Sequence, residues 1–169
     1  MDQLDSDGMA PIHQASFLGN VDIIDFLSST DNFDINMVDR KGRTGLHIAS
    51  KYGEVASVEK LIENNADIDK VDGRGRTPIY IACKYNEVEV VELLASNNAD
   101  VNKPDQSGLT PVWYASKNCF ENIVQSLVSF GAESPIINFN AMESAVKSGL
   151  ETWYGKEVGR IVNNEMYGG

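Results

Sequence analysis

The chain has 169 residues, 42% of them hydrophobic, which predicts one domain with a buried apolar core. Its net charge of −11 argues against nucleic acid as a partner, because phosphate binding needs an excess of Lys and Arg. The two cysteines, Cys83 and Cys119, are too few for a disulfide framework and indicate reduced thiols in an intracellular protein. We therefore expect a cytoplasmic location, with the nucleus also compatible, and no signal peptide or membrane insertion.

A turn motif recurs along the chain. Asp39-Arg40-Lys41-Gly42-Arg43-Thr44 returns at Asp72–Thr77 and again at Asp105–Thr110, so the leading Asp residues are 33 positions apart each time. A looser copy, Gly8 to His13, precedes them, and its Gly lies 34 residues before Gly42, which predicts one extra residue between Ser29 and Asp34. This self-similarity indicates a repeat protein.

Each unit has the pattern of a turn followed by two helices. Asp and Gly suit the tight turn, Thr suits a helix N-cap, and Pro78 and Pro111 suit a first helical turn. Small residue pairs then predict close helix packing: Ala49-Ser50, Ala82-Cys83 and Ala115-Ser116. Breaks are expected at Gly19, Gly53, Asn86 and Cys119. Second helices with apolar residues at helical spacing should follow, ending at Asn65, Asn98 and Gly131.

These residues resemble the ankyrin repeat, whose marks are a 33-residue period and a Thr-Pro-Leu-His-x-Ala signature. The resemblance implies an all-α solenoid of antiparallel helix pairs with β-turn or hairpin fingers. Residues 1–136 would hold four repeats, at about 5–38, 39–71, 72–104 and 105–136. Four departures from the signature are visible: Ala10 for Thr, Gly45 for Pro, and Tyr80 and Trp113 for His.

The C-terminal residues are less regular. Residues 137–163 have the spacing of a degenerate fifth repeat, since Ala145 and Gly149 keep the separation of Ala49 and Gly53. A solenoid needs a polar terminal unit, so we interpret this stretch as a C-terminal cap, the alternative being a helical appendage with unrelated packing. Residues 164–169 are interpreted as a tail.

No arrangement of residues indicates catalysis. His13 and His47 fall in the signature position, where a hydrogen bond between neighbouring turns is the expected role. Neither thiol has a His and acid partner at recognisable spacing, and Gly73–Arg76 matches no phosphate-binding loop. No zinc spacing appears. The sequence therefore predicts neither an enzyme nor a bound metal or cofactor.

The resemblance implies a partner-binding concave face made of finger tips and the exposed sides of first helices. It places fourteen candidate residues there: Phe17, Leu18, Arg40, Lys41, Arg43, Lys51, Tyr52, Arg74, Arg76, Lys84, Tyr85, Leu109, Trp113 and Lys117. Eight of the chain's 14 Lys and Arg are in this set, whereas many acidic residues fall on or near the second helices. Arg and Tyr are frequent binding hot spots.

The leading interpretation is a scaffold or adaptor module that binds another protein through an acidic peptide or patch, with Phe17 and Leu18 receiving an apolar anchor. One alternative is a regulatory or targeting domain of a larger enzyme or channel. Another is binding of an anionic non-protein ligand by the basic face. In a third, the basic residues merely aid solubility. Stacks of this kind are usually monomers, and we expect the same here.

Overall fold

The computed structural model describes residues 8–133, which form eight helices arranged as four antiparallel pairs and contain no strand. The first helices of the pairs are α1 (Pro11–Phe17), α3 (Gly45–Tyr52), α5 (Pro78–Tyr85) and α7 (Pro111–Lys117). The second helices are α2 (Val21–Ser28), α4 (Val55–Glu63), α6 (Val88–Ser96) and α8 (Glu121–Ser129). The proposed cap at 137–163 and tail at 164–169 lie outside the described residues.

Threonine side chains begin three of the four first helices, as predicted. The hydroxyl of Thr44 accepts a hydrogen bond from the amide of His47, and Thr77 and Thr110 make the equivalent bond three residues onward. Ala10 has no side chain able to do this, and α1 begins without a side-chain cap. A missing cap costs about 1 kcal/mol of helix stability, so the first unit has the weakest entry of the four.

Left-handed residues follow both helices of each pair, at the seven predicted positions and, after α2, at Asn32, for which no prediction was made. The breaks between helices have positive φ at Gly19, Gly53, Asn86 and Cys119. The ends of the second helices have positive φ at Asn32, Asn65, Asn98 and Gly131. The extra residue of unit one therefore lies at the end of α2: Gly19 to Gly53 spans 34 positions, whereas Asn32 to Asn65 spans 33. This confirms its predicted location between Ser29 and Asp34.

The helices form two layers with the apolar core between them. First helices pack side by side along the stack, and second helices do the same behind them. Leu46 and Ile79 of the first layer and Leu61, Leu94 and Leu127 of the second are fully buried. Substituting one of them by Ala would lower the free energy of unfolding by about 2–5 kcal/mol. The predicted small pairs are buried where the first helices meet, at Ala49-Ser50, Ala82-Cys83 and Ala115-Ser116.

None of the eight helices in the described range has both the length and the apolar character needed to cross a bilayer.

Candidate functional site

The two histidines connect neighbouring units. The ring of His13 accepts at Nδ1 from the amide of Ala10 (3.0 Å), and its Nε2–H donates to the carbonyl oxygens of Arg43 (2.9 Å) and Met37 (3.1 Å). One ring nitrogen accepts and the other donates, so the imidazole is neutral. Burial, which disfavours the charged form, lowers the pKa of His13. His13 is therefore a structural residue, as the repeat pattern predicts.

His47 repeats the arrangement one unit later. Its Nδ1 accepts from the amide of Thr44 (3.2 Å), and its Nε2–H donates to the carbonyl oxygen of Arg76 (2.9 Å). Burial again lowers the pKa. With both rings engaged on both sides, neither histidine has a nitrogen available for a metal or a substrate.

Tyr80 occupies the histidine position of unit three and makes a different connection. Its hydroxyl donates to Oδ2 of Asp105 in the next unit (3.1 Å). Burial, together with the Asp105 carboxylate, raises the pKa of the Tyr80 phenol well above its ordinary value. The link between units is therefore kept, but its acceptor is a side chain rather than a backbone carbonyl.

The turn that precedes the first helix of each unit is called a finger here and is numbered by its unit. The second and third fingers are organised by buried aspartates. Oδ1 of Asp72 accepts from the amides of Arg74 (2.8 Å) and Arg76 (3.0 Å), and Oδ2 pairs with the Arg76 guanidinium (2.5 Å). Asp39 and Arg43 repeat the pattern at 2.5 Å. Although burial opposes it, the guanidinium and the amide hydrogen bonds lower the pKa of both carboxyl groups. Arg43 and Arg76 therefore hold their own turns together.

The fourth finger lacks this arginine. Asp105 keeps the two amide bonds, from Ser107 (2.8 Å) and Leu109 (3.1 Å), but Leu109 stands where the second and third fingers have Arg. The hydroxyl of Tyr80 fills the role of the missing guanidinium at Oδ2. Two departures from the repeat pattern, at 80 and at 109, thus compensate for each other.

Direct backbone hydrogen bonds hold neighbouring fingers together. The amide of Gly73 donates to the Lys41 carbonyl (2.9 Å), and the amide of Gln106 donates to the Arg74 carbonyl (3.0 Å). At Gly42, which has a φ of +73°, an added Cβ would lie 2.7 Å from the nitrogen of Gly73. The fingers therefore form a continuous, closely packed edge.

Beside the fingers, lysines and aromatic rings alternate along the exposed side of the first helices. We call this row the lysine–aromatic strip; it consists of Phe17, Lys51, Tyr52, Lys84, Tyr85 and Tyr114. The rings of Phe17 and Tyr52 meet edge to face with centroids 4.7 Å apart. The ammonium of Lys51 lies 4.5 Å from the Tyr52 ring centroid and 5.3 Å from that of Tyr85. These are cation–π distances.

The strip continues into unit four. The ammonium of Lys84 lies 6.0 Å from the ring centroid of Tyr85 and 5.5 Å from that of Tyr114. Separately, Lys117 lies 5.0 Å from the Trp113 ring. Within residues 8–133, the ion pairs shown join Arg43 to Asp39, Arg76 to Asp72, and Lys60 to Asp25 and Glu63. The strip lysines have no carboxylate partner among them.

The structure divides the predicted binding residues into four groups. Lys51, Tyr52, Lys84, Tyr85 and Phe17 are brought together in the strip, and Lys117 contacts Trp113 beside it. Exposed finger positions are occupied by Arg40, Lys41 and Arg74, and Leu109 is half-buried. Arg43 and Arg76 are only 16% exposed and are paired with their aspartates. Leu18, at 71% exposure, stands out at the first unit.

Three residues of this face were not among the predicted binding residues: Tyr80, Asp105 and Tyr114. They line a concavity together with Arg74, Lys84 and Leu109. Tyr114 could have been found from the repeat itself, because the equivalent positions hold Ile48 and Ile81. A phenol in a position where units two and three bury an isoleucine is the available signal, although unit one has the exposed Gln14 there.

The cysteines match the structural roles predicted for them. Cys83 is buried in the small-residue contact, and burial raises the pKa of its thiol, which keeps it protonated and unreactive. Cys119 is exposed at the break between α7 and α8. Both are free thiols.

Comparison with known proteins agrees with this architecture. A search of curated proteins gives no match. A family model described as ankyrin repeats (3 copies) matches residues 1–72 and 46–142. These matches span most of the chain and coincide with the fingers and helix pairs described above. Ankyrin repeats are generally non-enzymatic protein–protein interaction modules. The chain belongs to the ankyrin-repeat family.

Proposed function

We propose that this chain is a scaffold or adaptor module that binds an acidic segment of another protein along the lysine–aromatic strip and the adjoining fingers. The observation that carries the proposal is the position of Lys51 and Lys84. Both are on the exposed side of the first helices, each within 6.0 Å of two tyrosine rings, and neither belongs to an ion pair shown within residues 8–133.

The contacts with tyrosine support binding in two ways. First, they restrict lysine side chains, which otherwise lose up to about 2 kcal/mol of rotamer entropy when they bind. Secondly, the rings attract the ammonium groups without neutralising their charge, so a partner carboxylate still gains from pairing with them. The strip thus combines pre-ordered cations with amphipathic aromatic area, and its tyrosines are of a residue type enriched among binding hot spots.

Charge also favours a short acidic segment over a long polyanion. The chain as a whole carries −11, so a nucleic acid extending beyond the strip would meet a repulsive surface. An acidic peptide confined to the strip avoids this repulsion. Complementary charges of this kind raise association rates and fix the binding register more than they add affinity.

The test uses a random dodecapeptide display library selected against the full chain at about 150 mM salt, where surface charges more than about 8 Å apart are largely screened. We expect enrichment of Asp and Glu in the selected peptides. A Lys51→Gln, Lys84→Gln double variant should bind the most enriched peptide at least tenfold more weakly. Lys60→Gln is the matched control, because it removes one charge from α4 on the second-helix layer, where Lys60 pairs with Glu63.

Two results would contradict the proposal. One is a selected peptide set with no more acid than the library. The other is an unchanged Kd for the double variant with a native thermal unfolding curve. An electrophoretic shift assay with a labelled 20-mer DNA adds a third arm, since binding at the same salt would favour a general anion-binding surface instead.

A further inference from the structure

The third and fourth fingers border an open concavity of about 270 Å³ next to the strip. Its walls include Arg74 from the third finger, Tyr80 and Lys84 from α5, Asp105 and Leu109 from the fourth finger, and Tyr114 from α7. The volume is close to the lower limit of about 300 Å³ for small-molecule pockets and corresponds to about nine water molecules. It therefore suits one or two side chains of a peptide.

The concavity lies where the repeat departs from its own pattern. Tyr80 replaces the histidine that occupies this position in units one and two, and Leu109 replaces the arginine of the second and third fingers. Tyr114 replaces an isoleucine, and its ring centroid is 5.9 Å from that of Tyr80. Positions that break a local rule without weakening the fold are where a functional site is expected.

The charges around the concavity sum to one positive unit. Arg76 is neutralised by Asp72, so the remaining cations are Arg74 and Lys84. Asp105 supplies one negative charge, and its two oxygens already accept from Tyr80, Ser107 and Leu109. Two cations and one carboxylate leave a net +1, which a single carboxylate of a ligand would balance. Asp105 itself would oppose a doubly charged phosphate group.

The remaining walls are apolar or amphipathic. Leu109 is half-buried, and the Tyr114 ring has Lys84 5.5 Å from its centroid. A carboxylate fills only part of the available volume, so space is left against Leu109 and the Tyr114 ring for an apolar side chain. The site thus offers cationic and apolar side chains within one concavity.

We infer that this concavity is the anchor pocket for the acidic partner, receiving one Asp or Glu side chain together with a neighbouring apolar side chain of the same peptide. The inference rests on the proposed function and moves the anchor away from Phe17 and Leu18, the position expected from the sequence. Arg74 and Lys84 contact the carboxylate, and Leu109 and Tyr114 contact the apolar side chain.

The experiment uses the most enriched peptide from the dodecapeptide selection, with each acidic residue changed to Gln and each apolar residue to Ser in turn. The protein variants are Arg74→Gln and Tyr114→Ile, and the second restores the residue type of units two and three. We expect each to weaken binding about tenfold. The Tyr114→Ile loss should disappear for one apolar peptide variant, and the Arg74→Gln loss for one acidic variant.

The controls separate this inference from the proposed function. Lys51→Gln lies outside the pocket and should weaken binding without preference for any single peptide position. If Lys51→Gln weakens binding but Arg74→Gln and Tyr114→Ile do not, the pocket assignment is wrong while the acidic strip stands. If phosphoserine in place of the critical acid binds tenfold tighter, the single-carboxylate assignment is overturned. Thermal unfolding of each variant checks that it is folded.

Discussion

The junction between units two and three and the junction between units three and four do the same structural work with different side chains. At the first, His47 reaches a backbone carbonyl and Arg76 neutralises Asp72. At the second, one tyrosine hydroxyl replaces both the histidine and the arginine by donating to Asp105. The junction between units two and three thus neutralises its aspartate with an arginine, whereas at the junction between units three and four Asp105 keeps its charge beside an open concavity lined by Arg74 and Lys84.

This difference is informative because a repeat protein provides its own reference. Substitutions that occur in one unit only are visible against the pattern of the others. At the junction between units three and four, three such substitutions line one concavity, namely Tyr80, Leu109 and Tyr114. The fold tolerates them because Tyr80 keeps the link to the next finger.

The largest expected effect comes from comparing the loss of charge at Asp72 with the same change at Asp105. Asp72→Asn keeps an acceptor for the two amides but removes the charge that faces Arg76, and breaking a largely buried ion pair is costly. We expect a loss of about 3 kcal/mol in the free energy of unfolding, measured by urea denaturation. Asp105→Asn should cost about 1 kcal/mol, because its third partner is a neutral hydroxyl. Equal losses would show that the two junctions are not built differently.

A second prediction concerns the closeness of the fingers. Gly42→Ala puts a Cβ 2.7 Å from a backbone nitrogen of the next finger and also strains a left-handed residue. We expect a loss of about 2–3 kcal/mol. Gly131→Ala is the matched control: its φ is also positive, at +86°, but no described atom lies within 4 Å of the added Cβ. It should lose only about 1 kcal/mol, and a loss as large as that of Gly42→Ala would contradict the steric argument.

Part of this architecture could be predicted from the sequence alone. The period, the Thr44 cap and the left-handed Asn65 and Asn86 follow from local chemistry, because a cap or a turn is specified by one or two residues. The ion pairs of Arg43 and Arg76 within their own turns could not be predicted in this way. The sequence places an Arg four residues after an Asp, but it does not show that the turn brings the two side chains together. The structure adds the pairing within the turn, and the predicted contact of these arginines with a partner stays a prediction.

The concavity that we propose as an anchor pocket was missed for a related reason. The concavity depends on side chains from two fingers and two helices, and no sequence window contains them all. Tyr80 was recognised as a departure from the repeat signature, but its link to Asp105 requires the three-dimensional structure. Tyr114 carried a readable signal, since units two and three have Ile at that position.

The third prediction is a pH dependence that belongs to the histidine junctions. Burial lowers the pKa of His47 in the folded state, so this state prefers the neutral ring, despite the opposing charges of Asp72 and Asp39 nearby. Its contribution to stability is therefore complete above the unfolded pKa of about 6.5 and is lost as the pH falls below that value. Between pH 7 and pH 5 the loss in the free energy of unfolding can reach about 2 kcal/mol for one histidine, because each pH unit below 6.5 contributes at most about 1.4 kcal/mol.

The measurement is urea denaturation at several pH values. Wild type should lose stability on acidification from pH 7 to pH 5, and His47→Gln should be less stable at pH 7 but lose less on acidification. Tyr80→Phe serves as the comparison, because its position does not titrate in this range and its slope should equal that of wild type. Parallel slopes for wild type and His47→Gln would contradict the assignment.

The smallest expected effect, about 1 kcal/mol, comes from converting the junction between units three and four into the type found between units two and three. Tyr80→Phe removes one hydrogen bond to a carboxylate that keeps its two amide partners, so the loss should be modest. Leu109→Arg should supply the guanidinium that Asp105 lacks. In that background Tyr80→Phe should cost almost nothing, giving a coupling energy of about 1 kcal/mol in a double-mutant cycle. Additive effects would mean that the two departures do not compensate. The converted protein should also bind the selected peptide more weakly, because an arginine replaces the apolar side chain of Leu109 in the proposed pocket, so one substitution tests both the compensation and the pocket.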